Sequence, residues 1–360
     1  MIEYAVIIMF KTILKEFGIE PNASVKPFGS GLINNTWRIS EKENEFILQR
    51  INQNVFKDPS AIATNIHLVC DHFKDKHPGY LFPCPRKTIA GDNMAFIENE
   101  GYFRIFPFIK NSHTIDVVNS PSQAYEAAKQ FGRFTNLLSG FPVDKLKITL
   151  PDFHNLPLRY SQFETAIKEG NKEKIKQSAA MISFLEDQQE IVSISEQISN
   201  NPDFKKRVTH HDSKINNVLF DDNNKGLCVV DLDTVMPGYF ISDFGDMMRT
   251  YLSPVSEEEK DISKIEIREE YFKAIAEGYL SEMEKELTTV EKTYLVYAGK
   301  FMVYMQALRF LTDYLYNDIY YGSKYEGQNF IRANNQVSLL KKIIEKEKLL
   351  QEIVDILNRK

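Results

Sequence analysis

The residues best suited to chemistry lie in a short non-helical segment between two stretches of helical patterning. Two apolar runs, Val218–Phe220 and Leu227–Val230, enclose a turn-forming segment, and this pattern predicts a β-hairpin. Asp212 and Asn217 precede the first run, and Asp231 follows the second. Because a hairpin brings its two outer ends together, we expect these three side chains to share one small space.

Two carboxylates and an amide in one space suit phosphoryl transfer. That reaction needs a carboxylate to accept the proton of an attacking hydroxyl, and oxygen ligands to hold Mg²⁺ against nucleotide phosphates. Asp212 fits the base, and Asn217 and Asp231 fit the metal ligands, because Mg²⁺ needs few protein oxygens beside phosphate and water. Lys214 would place a cation beside the transferring phosphoryl group. Asp233 is a candidate either to contact the substrate or to support the metal ligands.

The segment before this site is patterned as strands separated by turns. One helix is predicted over Ala61–Phe73, where apolar residues recur at helical spacing, and Tyr4–Phe10 is interpreted as the start of an amphipathic helix. Runs rich in strand-forming residues predict a five-stranded antiparallel sheet, at residues 25–28, 36–39, 46–51, 93–98 and 102–106.

After Pro107 the pattern becomes helical, and Thr293–Tyr316 gives the strongest signal. Further helices are predicted over Ser122–Leu138, Tyr160–Gly170 and Glu173–Ile198. The sequence therefore predicts an α+β fold with two lobes. The first lobe, residues 1–107, carries the sheet and a helix, and the second, residues 108–360, is mainly helical.

Composition excludes several classes of function. The 360 residues carry 44 Lys and Arg against 50 Asp and Glu, and this mildly acidic balance without a basic block argues against nucleic-acid binding. No apolar run approaches the roughly 20 residues of a membrane span, so no membrane partner is expected. The cysteines, Cys70, Cys84 and Cys228, are far apart and odd in number, which predicts neither a disulfide scaffold nor a zinc site and fits a reducing cytoplasm.

The order of these motifs resembles the aminoglycoside phosphotransferase and choline kinase superfamily, which shares the protein-kinase-like fold. The matching residues are His211-Asp212 with Asn217, Val230-Asp231, and Pro237-Gly238 with Asp243. Three longer segments resemble the N-acetylhexosamine 1-kinases more closely, namely Phe46–Asn52, His211–Asn217 and Leu308–Leu315. Those enzymes phosphorylate the anomeric hydroxyl of N-acetylglucosamine or N-acetylgalactosamine with ATP and Mg²⁺.

The resemblance implies a role for each matching residue. It makes Asp212 the catalytic base and Asn217 and Asp231 the magnesium ligands, and it places Arg309 against the sugar. The remaining implied contacts are to ATP: Phe106 and Phe108 in the hinge that meets adenine, and Gly29, Ser30 and Gly31 in the loop over the phosphates.

Two features depart from the resemblance. Gln49-Arg50 stands where many relatives show a lysine, and strand alternation lets only one of the two face the cleft, so Arg50 is preferred as the phosphate contact. The helix at residues 61–73 has no glutamate, so the usual lysine–glutamate pair is not expected.

Asp243-Phe244-Gly245 spells a kinase metal motif but lies too far beyond Asn217, and we expect Asp243 to brace the catalytic loop instead.

Other functions stay open on the sequence alone. A kinase of choline, homoserine or an aminoglycoside would use the same motifs, and so would a nucleotide-binding module without catalysis. Cys84-Pro85-Arg86 suggests a sulfatase, but that class needs the spacing C-x-P-x-R, which is absent here. We expect a cytoplasmic protein that is a monomer or a weak dimer.

Overall fold

The structure is a computed structural model that describes residues 2–29 and 33–359. Within these residues, five strands form one antiparallel sheet in the order β1-β2-β3-β5-β4. Their bounds are β1 Ser24–Pro27, β2 Asn35–Glu41, β3 Asn44–Arg50, β4 Ala95–Ile97 and β5 Gly101–Pro107. The predicted α+β fold class and its five-stranded antiparallel sheet are therefore confirmed.

Two small antiparallel pairs carry the chemical segment. β6 (Arg207–Thr209) pairs with β9 (Met236–Gly238), and β7 (Val218–Phe220) pairs with β8 (Gly226–Val229). The hairpin predicted from the two apolar runs is β7-β8, so that prediction is confirmed.

Helices make up most of the chain after β5. Residues 173–198, predicted as one helix, form three, because turns at Ser178 and Gln188 interrupt the helical hydrogen-bond pattern. The helix bounds are α1 Ile2–Glu16, α2 Pro59–Lys76, α3 Pro121–Leu137, α4 Leu156–Glu169, α5 Lys172–Gln177, α6 Ala179–Asp187, α7 Glu190–Asn200, α8 Phe240–Tyr251, α9 Glu269–Met283, α10 Thr289–Thr293, α11 Leu295–Leu315, α12 Gln328–Glu345 and α13 Glu347–Leu357.

Two hydrophobic cores hold these elements. The smaller core joins α1 to one face of the sheet through residues such as Phe17, Leu48 and Phe103. The larger core contains the C-terminal helices, and it also includes buried residues of α2 such as Ile62 and Val69. The helix predicted at residues 61–73 therefore packs with the helical part of the chain, and the lobe boundary at residue 107 stays a prediction.

The cysteines form one pair that the sequence analysis did not predict. The structure joins Cys70 in α2 to Cys84 by a disulfide, with their Cα atoms 5.7 Å apart, and leaves Cys228 free and buried. The chain between the two cysteines folds back after α2, a path that their spacing does not reveal. In the described part of the chain, no helix has the length and apolar character to span a membrane.

Candidate active site

The loop between β6 and β7 carries Asp212, and hydrogen bonds to the Asp243 side chain hold this loop in place. The Asp243 carboxylate accepts hydrogen bonds from the backbone N–H of His210 (3.0 Å) and His211 (2.7 Å) and from the Ser213 hydroxyl (2.8 Å). His211 in this loop adopts a φ of 68°, which is strained for a residue other than glycine, and these hydrogen bonds hold it in that conformation. The prediction that Asp243 braces the catalytic loop is confirmed.

The neighbouring motif residue Gly245 has a packing role. It lies in α8, where an added Cβ would collide with the Ala298 carbonyl of α11. The sequence Asp243-Phe244-Gly245 is therefore explained here by loop bracing and helix packing.

Asp212 has two polar neighbours in the loop. Its carboxylate lies 2.9 Å from the Lys214 ammonium and accepts a hydrogen bond of 3.0 Å from the amide nitrogen of Asn217. The same Asn217 nitrogen donates to the Asp212 backbone carbonyl at 2.9 Å. Because the amide nitrogen is engaged in both bonds, the amide oxygen of Asn217 remains as the atom that can bind a cation.

The protonation states of Asp212 and Lys214 depend on each other. Burial acts to raise the pKa of Asp212, but the adjacent Lys214 outweighs it and holds the pKa below its usual range. Burial acts to lower the pKa of Lys214, and the carboxylates of Asp212 and Asp246 outweigh that effect and raise it. Both residues are therefore charged at neutral pH, with the carboxylate ready to accept a proton.

Asp231 lies two residues after the end of β8, the second strand of the hairpin. The backbone N–H of Val230 donates to the Asn217 carbonyl at 2.8 Å, which brings the end of β8 beside the start of β7. Asp231 adopts a φ of 59°, a region that non-glycine residues rarely occupy and that often marks functional sites. Asp231 therefore lies close to the loop that carries Asp212 and Asn217, and the charge of Asp212 acts on its carboxyl. That the three side chains share one space stays a prediction.

The environment of Asp231 suits a cation. The residue is exposed, and desolvation by the surrounding protein, followed by the charges of Asp233 and Asp212, raises the pKa of its carboxyl to about 7. Among described residues, no group donates a hydrogen bond to this carboxylate, and no cluster of three or more His, Cys, Asp or Glu forms a metal site by itself. A magnesium ion would therefore need Asn217 and phosphate or water oxygens beside Asp231, a combination that Mg²⁺ accepts.

Asp233 is buried and engaged with the sheet. Its carboxylate lies 2.5 Å from a guanidinium nitrogen of Arg104 in β5 and accepts a 2.7 Å hydrogen bond from the Asn34 amide. Arg104 in turn donates two hydrogen bonds to the side-chain oxygen of Gln49 in β3. The sequence proposed Asp233 as a substrate contact, and the structure places it between the sheet and the catalytic segment.

The preference for Arg50 as the residue that faces the cleft is corrected. Arg50 shares its sheet face with Leu48, which belongs to the core under α1, and its guanidinium pairs with Glu100 at 3.1 Å. Gln49 faces the opposite way and reaches Asp233 through Arg104. Strand alternation therefore puts Gln49 on the cleft side, because α1 covers the other face.

The proposed nucleotide contacts are only partly described. Gly29 has a φ of 79°, a conformation that glycine adopts without strain, and Ser30 and Gly31 lie outside the described residues. Phe106 lies near the end of β5 on the face of Arg104, with its ring centroid 4.9 Å from the guanidinium carbon. The Phe108 ring lies against Phe28 at a centroid distance of 5.9 Å, and the Phe108 N–H donates to the Glu45 carbonyl.

Arg309 borders a cavity of about 460 Å³ between α4, α11 and the loop that follows α11. Its guanidinium lies 5.6 Å from the Phe153 ring and 5.3 Å from the Tyr321 ring. The cavity is lined by Arg159, Ser161, Gln162, Thr165, Arg309, Thr312, Asp313, Tyr316, Ile319, Tyr320 and Tyr321. Asp313 does not pair with Arg309, because it is buried and accepts hydrogen bonds from the backbone of the loop and from Asn329.

Two residues near the site are absent from the sequence prediction. Arg104 stands between the apolar residues Phe103 and Ile105 of β5, and a charge inside an otherwise apolar strand is the signal that could have drawn attention to it. His154 stacks on Phe153, and its ring nitrogen lies 3.3 Å from that of His211. These contacts connect the cavity at Arg309 to the catalytic loop, and no sequence signal indicates His154.

The fold is similar to that of solved structures, and most of the sequence matches a known family. The fold is similar to a microcompartment-associated aminopropanol kinase (TM-score 0.63, 15% identity, 96% of this chain and 98% of that chain). It is similar to choline kinase from Cryptosporidium parvum (0.56, 17%, 99% and 99%) and to a spectinomycin phosphotransferase (0.58, 16%, 94% and 98%). The predicted protein-kinase-like fold is therefore confirmed. Residues 24–285, more than half of the chain, match the family described as "Phosphotransferase enzyme family", and this protein belongs to that family.

Proposed function

We propose that this protein transfers the γ-phosphoryl group of ATP to the anomeric hydroxyl of an N-acetylhexosamine. One observation carries the phosphotransferase part. The Asp212 carboxylate lies 3.0 Å from the Asn217 amide nitrogen and 2.9 Å from the Lys214 ammonium, and the β7-β8 pairing brings the chain that leads to Asp231 beside Asn217. This is the set of a proton acceptor, oxygen ligands and a fixed cation that in-line phosphoryl transfer requires.

In the proposed reaction, Asp212 accepts a hydrogen bond from the acceptor hydroxyl and orients its oxygen toward the γ-phosphorus. A bond forms between that oxygen and the γ-phosphorus, the bond from the γ-phosphorus to the β–γ bridging oxygen breaks, and ADP leaves. The hydroxyl proton passes to Asp212. Because the pKa of Asp212 is held low, its main contribution is to position the nucleophile, and it takes the proton late in the transfer.

The residues that would hold magnesium are Asn217, through its amide oxygen, and Asp231. When bound there, Mg²⁺ would offset negative charge on the nucleotide phosphates. Lys214 lies on the opposite side of the Asp212 carboxylate from Asn217, with one bonded to each oxygen. Its ammonium is placed to stabilise charge on the transferring group, while Asp243 keeps the loop rigid.

The cavity at Arg309 supports a neutral, hydroxyl-rich acceptor. Two guanidinium groups, Arg159 and Arg309, line it together with hydroxyl and amide side chains. Its acidic lining residue, Asp313, is occupied by hydrogen bonds from Tyr320 and Tyr321 N–H groups. A choline, an amino alcohol or an aminoglycoside carries a positive charge that these arginines would repel. A sugar offers hydroxyl groups to guanidinium donors and an apolar ring face to aromatic side chains.

A panel of acceptors tests the proposal through ADP release. We expect N-acetylglucosamine or N-acetylgalactosamine to support turnover with Mg-ATP, and choline, homoserine, aminopropanol and spectinomycin to give rates at background. Arg309→Gln is the matched variant, because it removes the guanidinium from the cavity and leaves the hairpin intact. Turnover of a cationic acceptor with inert N-acetylhexosamines would refute the sugar assignment, and no ADP release with any acceptor would refute the kinase assignment.

A further inference from the structure

We infer that His154, in the segment before α4, is a positioning residue that acts on the catalytic base through the ring of His211. The inference deepens the proposed phosphoryl transfer and rests on it. His154 is half-buried and lies 57 residues before His211 in the chain. It therefore reaches the loop that carries Asp212 from a segment outside the hairpin.

His211 is the residue that His154 supports. It is buried, directly precedes Asp212, and has a positive φ, a conformation that glycine adopts more readily than a residue with a side chain. Its backbone N–H donates to Asp243 at 2.7 Å. Its ring packs against Gly238 of β9, where an added Cβ would collide with it. The backbone of His211 is thus held by Asp243, and the ring needs a separate partner.

His154 is that partner. The Nδ1 atoms of the two histidines lie 3.3 Å apart, with the rings at 62° to each other. The same Nδ1 atom of His154 lies 3.0 Å from the hydroxyl oxygen of Ser242 in α8. Ser242 directly precedes Asp243, so consecutive residues of one helix hold the backbone of His211 and, through His154, its ring.

Both rings are neutral at pH 7. Desolvation by the surrounding protein, and after it the neighbouring His211 and Arg309, lower the pKa of His154 well below its usual range. Desolvation also lowers the pKa of His211, although the Asp243 carboxylate acts to raise it. A neutral imidazole carries one N–H, so one ring donates to the other. The pair can therefore orient the loop, while Asp212 remains the group that accepts the proton of the acceptor hydroxyl.

His154 also belongs to the wall of the cavity at Arg309 through its neighbour in sequence. The Phe153 ring stacks on the His154 ring at a centroid distance of 4.4 Å, and it lies 5.6 Å from the Arg309 guanidinium carbon. Phe153 and His154 thus contact the proposed acceptor site on one side and the catalytic loop on the other. This placement fixes the base relative to the site where the acceptor is proposed to bind.

Steady-state kinetics of two variants separate the hydrogen bond from packing. His154→Phe keeps a ring against Phe153 but removes the nitrogen that meets His211, and His154→Asn returns a polar group near that nitrogen but removes the ring. We expect His154→Phe to lower kcat about 10-fold with the KM for ATP within about two-fold, and His154→Asn to recover most of that kcat. Normal kcat in His154→Phe, or a lower kcat in His154→Asn than in His154→Phe, would overturn the inference.

The effect should disappear when the His211 ring is removed. In a His211→Gly background, His154→Phe should change kcat by less than about two-fold, because the two residues act as one unit. A loss there as large as in the wild-type background would overturn the inference. His77→Phe is the matched control, since this histidine lies at the end of α2 and packs against His72 and Phe73, and it should turn over normally.

Amide hydrogen exchange separates this inference from the proposed function. Exchange at residues 210–213 should be faster in His154→Phe than in the wild-type protein and close to normal in His154→Asn, with exchange in α11 unchanged. Unchanged exchange in the loop of His154→Phe, or faster exchange throughout the protein, would overturn the inference. If the wild-type protein releases no ADP with any acceptor while the loop responds as expected, the proposed function is wrong and the support of the loop by His154 stands.

Discussion

Replacement of Asp231 by asparagine should make the metal-free protein more stable while it removes the response to magnesium. Desolvation by the surrounding protein and the charges of Asp233 and Asp212 raise the pKa of the exposed Asp231 to about 7 in the folded chain, against about 3.9 for an unperturbed aspartate. Above pH 7 the carboxylate is therefore charged in both states, and its charge costs stability only in the folded one. Asparagine keeps the shape and removes that cost.

The size of this effect is small. Asp231 is exposed, so solvent screens its charge, and we reduce the stabilisation expected from the pKa shift to about 1 kcal/mol at pH 8. Unfolding entropy of about 2.1 cal/mol/K per residue converts this to a melting temperature about 1 °C higher for a chain of 360 residues. The gain should fall as the pH drops below 7, where the folded wild-type protein takes up a proton, and should vanish below about pH 4.

Magnesium should reverse the order of the melting temperatures of the wild-type protein and Asp231→Asn. A ligand at ten times its dissociation constant stabilises the state that binds it by about 1.4 kcal/mol, so wild-type protein in Mg-ATP should melt above Asp231→Asn. Differential scanning calorimetry at pH 5, 7 and 8, with and without Mg-ATP, measures both effects. Asp222→Asn, which removes a charge from the exposed turn of the same hairpin, is the matched control. An Asp231→Asn variant that melts below wild type without metal and is still stabilised by magnesium would refute the reasoning.

Four further outcomes are expected. Asp212→Asn should leave ATP affinity within about two-fold and reduce kcat by at least ~10², and near-normal turnover in an ADP-release assay would exclude Asp212 as the base. Arg309→Gln should raise the KM for the sugar about ten-fold with the KM for ATP unchanged, and equal changes in both would place Arg309 outside the acceptor site. Asp243→Asn should lower kcat and increase amide hydrogen exchange in the loop that it braces, and unchanged exchange would contradict the bracing role. Gly245→Ala should destabilise the fold by about 1–3 kcal/mol in urea, because the added methyl meets the α11 backbone, and a neutral result would contradict that packing.

The part of the site that could be predicted from the sequence depends on local structure. Asp212, Asn217 and Asp231 lie within 20 residues, and a short hairpin leaves few ways to arrange its outer ends. The positions of the five strands along the chain were predictable for a similar reason, since turn residues separate apolar runs of strand length. The pairing of β3 with β5 was not predicted.

The remaining features depend on distant contacts. Whether Gln49 or Arg50 faces the cleft is decided by α1, which covers the other face of the sheet, and alternation alone does not reveal which face that is. Arg104 acquires its importance from Asp233, more than a hundred residues later. The Cys70–Cys84 disulfide depends on the path of the chain after α2, where no regular pattern exists.

In the helical part, the breaks between helices and the placement of the cavity were also not predictable from local sequence. The apolar pattern over residues 173–198 is continuous, and it does not indicate the breaks at Ser178 and after Asp187 that divide the segment into α5, α6 and α7. The cavity at Arg309 is formed by α4, α11 and the loop after α11, three segments whose relative placement no local signal determines.

The most direct test of the account is ³¹P nuclear magnetic resonance of ATP incubated with Mg²⁺, an N-acetylhexosamine and either wild-type protein or Asp212→Asn. With the wild-type protein, the signal of the γ-phosphate should decline while signals of ADP and of a sugar 1-phosphate rise together. With Asp212→Asn, ATP should persist over the same time. Equal product formation by both proteins, or inorganic phosphate as the sole new signal besides ADP, would contradict the claim that the hairpin pocket transfers a phosphoryl group to an alcohol.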